Sequence, residues 1–92
     1  MTNVELRKNQ LDALTDRANV LLGFFEHESI LTMVRGAVRN IDDGRVWLKE
    51  QNIETRPTLM GIVDLNVKLA DATLTQMEGV AQSHGKTAIA IG

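Results

Sequence analysis

The side chains that could carry acid–base or metal chemistry are few, and their spacing keeps them apart. The chain has two histidines and no cysteine, so disulfides and thiolate metal sites are excluded. The tripeptide Glu26-His27-Glu28 holds three possible ligands, but consecutive helical residues point about 100° apart and do not converge. Neither Glu-x-x-His nor His-Glu-x-x-His occurs, although these spacings present ligands from a helix. The sequence therefore predicts no metal and no cofactor.

The carboxylate pairs also lack the surroundings of a catalytic site. Asp12 and Asp16 share one face of a helical pattern, as do Asp64 and Asp71 through Lys68. Such spacing is typical of the solvated face of an amphipathic helix. The sequence has no nucleophile motif and no glycine-rich phosphate loop. We therefore expect a protein without catalytic activity.

A line of residues seven apart is the most informative feature. Met33, Asn40 and Trp47 fall on one side of a helix, with Gly36 and Gly44 beside them. Glycine permits close approach, and Trp and Met are enriched at interface cores. Two interpretations stay open. The line is a contact surface for a second chain, or Trp47 closes the protein's own core over the two glycines.

Two polar residues interrupt the apolar side of the third helical pattern. Asn66 and Thr73 lie among apolar residues, where buried polar groups need partners. In coiled coils a single buried Asn fixes register and oligomeric state. This pattern indicates that the third helix pairs with a symmetry mate. The alternative is that both side chains reach solvent at the rim.

These residues depend on one long helical segment. Between Pro57 and His84, apolar residues recur at steps of three and four: Met60, Val63, Val67, Ala70, Leu74, Met77 and Ala81. Further apolar residues widen this arc to more than half of the circumference, whereas a surface helix needs only about 100°. We predict one helix over 57–84 that must be covered from two directions.

Two other helices precede it. Thr2 and Glu5 form a capping-box pattern, which predicts a helix over 3–26. Ser29 is a suitable N-cap for a second helix over 29–52. The sequence Asp42-Asp43-Gly44 is unfavourable inside a helix, but the apolar pattern keeps its phase across it. We predict one helix there, with a kink or break at Gly44 as the alternative.

The chain then ends in a tail over 85–92. Gly85 is suited to end the third helix, and the tail is either a frayed terminus or a short extended segment packed on the bundle or a second chain. Matched lengths and short connections predict a single all-α domain over 1–92. Its fold would be an antiparallel, up-down-up three-helix bundle with coiled-coil-like packing.

Composition restricts the partners. The chain is 43% apolar and 24% charged, as in ordinary soluble globular proteins. Its net charge of −2 comes from intermixed acidic and basic residues, so it has no general attraction to nucleic acid or to an anionic membrane. No apolar run is long enough to span a bilayer, and the first residues lack a signal-peptide pattern. We expect a cytoplasmic protein.

One short stretch offers an alternative function. Residues 51–62 resemble the turn of a helix-turn-helix, with Arg56-Pro57-Thr58-Leu59 opening the second helix. That resemblance implies DNA binding. However, the turn has one residue too many, and the helix that would enter the groove carries Asp64, Asp71 and Glu78, whereas DNA affinity depends on cations that contact phosphates.

The sequence therefore predicts a small non-enzymatic interaction module of the adaptor, regulator or inhibitor type. It would form a homodimer through apolar helix faces and bind a further protein partner, with the helix-turn-helix-like regulator as the alternative. The predicted interface residues are Met33, Gly36, Asn40, Gly44, Trp47, Asn66 and Thr73.

Overall fold

Three helices account for most of the chain in the computed structural model. They are α1 (Asn3–Phe24), α2 (Glu28–Leu48) and α3 (Pro57–Ile91). The structure describes the backbone of residues 1–91 and the side chains of residues 1–83. Over that backbone there is no strand, so the predicted all-α class is confirmed.

Helix α1 begins at the predicted cap and ends two residues early. The Thr2 hydroxyl accepts a hydrogen bond of 3.1 Å from the Glu5 N–H, as an N-cap should. Phe25 leaves the helix with φ −91° and ψ 144°, although its N–H still donates to the Leu21 carbonyl at 3.1 Å. The predicted end near residue 26 therefore moves to Phe24.

Helix α2 begins before the predicted cap. Its N-cap is His27, which makes no side-chain capping bond, so the assignment of Ser29 as N-cap is wrong. The Ser29 hydroxyl instead lies 2.8 Å from His27 Nδ1. Only residues 25–27 connect the two helices. The helix therefore starts as soon as the chain has reversed, and Glu28 places a carboxylate in its first turn, where the helix dipole favours it.

Helix α2 continues without a break through Asp42-Asp43-Gly44, as the unbroken phase predicts. It ends at Leu48 rather than at residue 52. Asn52 adopts the left-handed conformation with φ 60° and ψ 30°, which Asn tolerates better than most residues. A single 3₁₀ turn over Ile53–Thr55 then leads into α3 at Pro57, whose fixed φ suits a first helical residue.

Helix α3 is one unbroken rod of 35 residues. The predicted end at Gly85 is wrong, because the backbone stays helical to Ile91. A glycine inside a helix costs only about 1 kcal/mol relative to alanine, and no proline follows it. The predictions on how the tail packs concern side chains outside the described residues.

The three helices pack as the predicted bundle. Arg7 reaches Asp64 and Arg17 reaches Glu78, so α1 and α3 run in the same direction. Helix α2 runs opposite to both, and its most extensive contact is with α3. The buried core residues are Leu11, Leu14, Ala18, Leu21, Phe25, Val34, Ala37, Ile41, Ala70, Leu74 and Met77. A smaller cluster of Ile53, Met60 and Val63 closes the end where α3 begins.

Candidate interaction surface

Ion pairs fix α1 to one side of α3. The Arg7 Nε donates to an Asp64 oxygen at 2.9 Å. Ten residues further along α1, Arg17 donates to both oxygens of Glu78, at 3.0 and 2.7 Å, and to Asp71 at 2.7 Å. Two parallel bonds from one guanidinium to one carboxylate are a strong, directional pairing. Asp64, Asp71 and Glu78 therefore mark the side of α3 that faces α1.

This pairing shifts proton affinities in the expected directions. Hydrogen bonding from Arg17 is the main cause that lowers the pKa of Glu78 below its usual range, against a smaller opposing effect of burial. The bonds to Glu78 and then to Asp71 raise the pKa of Arg17. Both groups are therefore held in their charged forms.

A similar contact identifies the side of α2 that faces α1. The Arg45 guanidinium donates to Asp12 at 2.7 Å and to the Thr15 hydroxyl at 2.8 Å. Both acceptors belong to α1. Helix α1 thus lies along one side of the α2–α3 pair and is held there by arginines that reach across both seams.

Helical geometry shows which residues lie on the opposite side. A residue two positions away along a helix is rotated by about 200°. Trp47 follows Arg45 by two positions, and Leu69 precedes Asp71 by two. We call the side of the α2–α3 pair that points away from α1 the outer face. It comprises Met33, Gly36, Asn40 and Trp47 from α2, and Ile62, Leu65, Leu69 and Thr73 from α3.

The outer face is apolar and open to solvent. The exposed fractions are 44% for Met33, 36% for Trp47, 55% for Leu65 and 46% for Leu69. A Cβ atom added at Gly36 would meet nothing within 4 Å, so this position is also uncovered. None of the eight residues of the outer face carries a charge. Contiguous apolar patches of this kind mark interaction sites more often than scattered single residues do.

Gly44, another predicted interface residue, lies inside the bundle. It is buried, and a Cβ atom there would stand 3.1 Å from Leu11 Cδ2 and 3.5 Å from Asn66 Cβ. The missing side chain lets α1 and α3 approach α2 at this point. Its close contacts are therefore with helices of its own chain.

Asn66 lies half-buried in the same seam. Its amide nitrogen donates to the Ile62 carbonyl of the same helix at 3.2 Å, so the amide has a partner without a second chain. Thr73, one heptad further, is also half-buried. The structure thus gathers five predicted residues on the outer face, namely Met33, Gly36, Asn40, Trp47 and Thr73. It places Gly44 and Asn66 in the seam beneath that face.

The predicted interface omits three residues of the outer face, namely the half-buried Ile62 and the exposed Leu65 and Leu69. All three belong to the wide apolar arc of α3. Periodicity shows that the arc is wider than one neighbour can cover, but not which part stays open, because this depends on the side that α1 occupies. The width of the arc was the only signal in the sequence that pointed to them.

Other candidate chemistry does not assemble in the described residues. Among them, no group of three or more His, Cys, Asp or Glu side chains is placed to hold a metal ion. In the stretch that resembles a helix-turn-helix, Arg56 lies 4.0 Å from the Glu50 carboxylate. The acidic residues of α3 are paired with arginines of α1.

The fold and this surface together define a three-helix protein with an unpartnered apolar face on α2 and α3. No helix in the described part of the chain is long and apolar enough to cross a membrane. Comparison with protein-family models, with curated proteins and with solved structures gives no match.

Proposed function

We propose that this protein is a non-enzymatic interaction module that forms a homodimer through the outer face and acts on other proteins as an adaptor, regulator or inhibitor. The observation that supports this proposal is the exposure of Met33, Trp47, Leu65 and Leu69 on one uncharged surface. Such a surface is complementary to itself, since both copies present apolar side chains and neither places a charge opposite the other. Dimers with twofold symmetry use one patch on both subunits in this way.

The expected affinity is modest. Full burial of a large apolar side chain stabilises a protein by about 1.5–3 kcal/mol. The side chains of Met33, Trp47, Leu65 and Leu69 are already close to half-buried in the monomer. Eight such side chains in a dimer contribute on the order of 8 kcal/mol, against association costs of at least about 4 kcal/mol. We therefore expect a dimer that dissociates on dilution.

Sedimentation velocity over a range of concentrations tests the proposal. The wild type should shift from monomer to dimer as concentration rises, and the double variant Leu65→Ser/Leu69→Ser should stay monomeric with unchanged helical content. The matched control is Val20→Ser/Val46→Ser, since these valines are 70% and 64% exposed and lie outside the outer face. A wild type that stays monomeric throughout, or a leucine variant that dimerises normally, would refute self-association through this face.

The helix-turn-helix alternative has less support. Helix α3 presents its acidic side chains to α1, and Arg56 is the basic residue at its start, beside Glu50. A DNA-contacting helix needs cations directed at phosphates. The described side chains of residues 51–62 do not form such a set.

A further inference from the structure

A cleft between α1 and α2 has a composition unlike the rest of the surface. It has a volume of about 400 Å³ and is lined by Val4, Lys8, Leu11, Arg45, Leu48 and Lys49. It lies where α1 begins and α2 ends, on the side that α1 covers. The cleft is therefore separate from the outer face, and a ligand bound there would not compete with the dimer contact.

The lining combines an apolar floor with cations and no carboxylate. Val4 and Leu48 are half-buried and provide the floor, whereas Leu11, which also borders the cleft, is fully buried. Lys8 and Lys49 make no ion pair with any side chain that the structure describes. Their ammonium groups are therefore available, in a protein whose net charge is −2.

Arg45 is the third cation of the cleft, and α1 holds it in place. Its two terminal nitrogens bond Asp12 at 2.7 Å and Thr15 at 2.8 Å. Asp12 neutralises one of the three positive charges but does not itself line the cleft. The Glu54 carboxylate also lies nearby, since it accepts a hydrogen bond of 2.9 Å from the Val4 N–H. The three cations that line the cleft outnumber these two carboxylates, so the local balance remains positive.

A second cleft shows that this combination is not a general property of helix seams in this protein. This cleft has a volume of about 340 Å³ and lies between α1 and α3. Its lining includes Arg17, Lys68 and Asp71. Arg17 is fully engaged with Asp71 and Glu78. An incoming anion would meet the Asp71 carboxylate there and find the guanidinium already occupied.

We propose that the α1–α2 cleft binds a small amphipathic carboxylate, such as a medium-length alkyl carboxylate. The alkyl chain would lie on Val4 and Leu48, and the carboxylate would accept hydrogen bonds from Lys8 and Lys49. The volume lies within the range of small-molecule sites, which are mostly apolar with a few charged groups that set orientation. This inference does not depend on the proposed dimer.

Titration with decanoate below its micelle concentration, followed by methyl NMR, tests the site. Decanoate should shift the methyl signals of Val4 and Leu48 and leave those of Leu65 and Leu69 unchanged. The double variant Lys8→Gln/Lys49→Gln should bind about tenfold more weakly, because it lacks two charge-assisted bonds. Lys68→Gln, which removes an exposed lysine from the other cleft, is the matched control and should bind like the wild type.

A second ligand separates charge recognition from general apolar binding. Decyltrimethylammonium has the same chain and the opposite charge, so it should not shift the methyl signals of Val4 and Leu48. The proposal is overturned if the cation binds as well as decanoate, if the double glutamine variant keeps the wild-type affinity, or if decanoate shifts only signals of the outer face. Circular dichroism of each variant checks that the helices are intact.

Discussion

The side chain of Leu11 on α1 lies directly against the backbone of Gly44 on α2. Its Cδ2 atom is 3.1 Å from the point where a Cβ atom of residue 44 would stand, and Leu11 itself is fully buried. Glycine is a poor helix former, yet here its lack of a side chain allows two helices to approach. Gly44 is thus explained by packing within the chain.

Replacing this glycine should therefore differ from replacing an open one. Gly79→Ala, where an added Cβ meets nothing within 4 Å, should stabilise the protein by up to about 1 kcal/mol through helix propensity. The free energy of unfolding of Gly44→Ala should be about 1–2 kcal/mol lower than that of Gly79→Ala, because the added methyl group overpacks a buried contact. Urea unfolding of both variants measures the difference, and equal stabilities would show that Leu11 moves aside freely.

The bidentate contact between Arg17 and Glu78 should contribute measurably to stability. Arg17→Gln should lower the free energy of unfolding by about 1 kcal/mol, a figure already reduced for solvent screening of partly exposed pairs. Arg35→Gln is the control, since Arg35 and Glu28 pair at 55% and 75% side-chain exposure within one helix. Chemical denaturation at neutral pH should show almost no change for the control. A control effect as large as that of Arg17→Gln would contradict this assignment.

The same contact predicts a dependence on pH. The folded pKa of Glu78 is lowered by Arg17, so its stabilisation is complete above the unfolded value of about 4.3 and is lost as pH falls through the folded value. The difference in stability between wild type and Arg17→Gln should be constant from pH 6 to pH 7 and shrink below about pH 4. A difference that grows on acidification would have the wrong sign for this mechanism.

A charge placed in the outer face should block assembly without harming the monomer. Gly36→Lys puts an ammonium group on the apolar surface, and no atom lies within 4 Å of the new Cβ. The variant should remain helical and monomeric at concentrations where the wild type is dimeric. Gly23→Lys, also at an open glycine but on α1, should dimerise normally by sedimentation. Unchanged assembly of Gly36→Lys would argue for a different interface.

Binding to nucleic acid should be negligible. The protein should pass through a heparin column at low salt, where phosphate-type contacts are strongest, and Arg56→Ala should behave identically. Retention that Arg56→Ala weakens would instead favour the helix-turn-helix alternative. A duplex DNA mobility assay at the same salt concentration provides the independent check.

Periodicity predicts the helices of this protein much better than it predicts their ends. The stripe of Met60, Val63, Ala70, Leu74 and Met77 is buried as expected, because burial of an apolar arc is what stabilises a helix in a bundle. The helix ends depend on the backbone conformation of single residues, about which the apolar periodicity carries no information. Phe25 leaves α1 early, and Asn52 takes a left-handed conformation after α2 has already ended.

The candidate surface could be predicted only in part for a different reason. Seven-residue spacing correctly groups Met33, Asn40 and Trp47 on one side of α2. It does not distinguish the side that α1 will cover from the side that remains open. That choice rests on long-range pairs such as Arg45 with Asp12, which join positions that no local pattern connects. Gly44 was grouped with the surface for the same reason, although α1 covers it.

Trp47 has a practical consequence, because the chain contains one tryptophan and no tyrosine. Its near-ultraviolet absorption and intrinsic fluorescence therefore arise almost entirely from a single indole on the outer face. Any molecule that covers this face will change the emission of that indole, whereas binding in the α1–α2 cleft, on the other side of α2, will leave it largely unaltered. The unlabelled protein thus carries its own optical reporter for one of its two candidate sites.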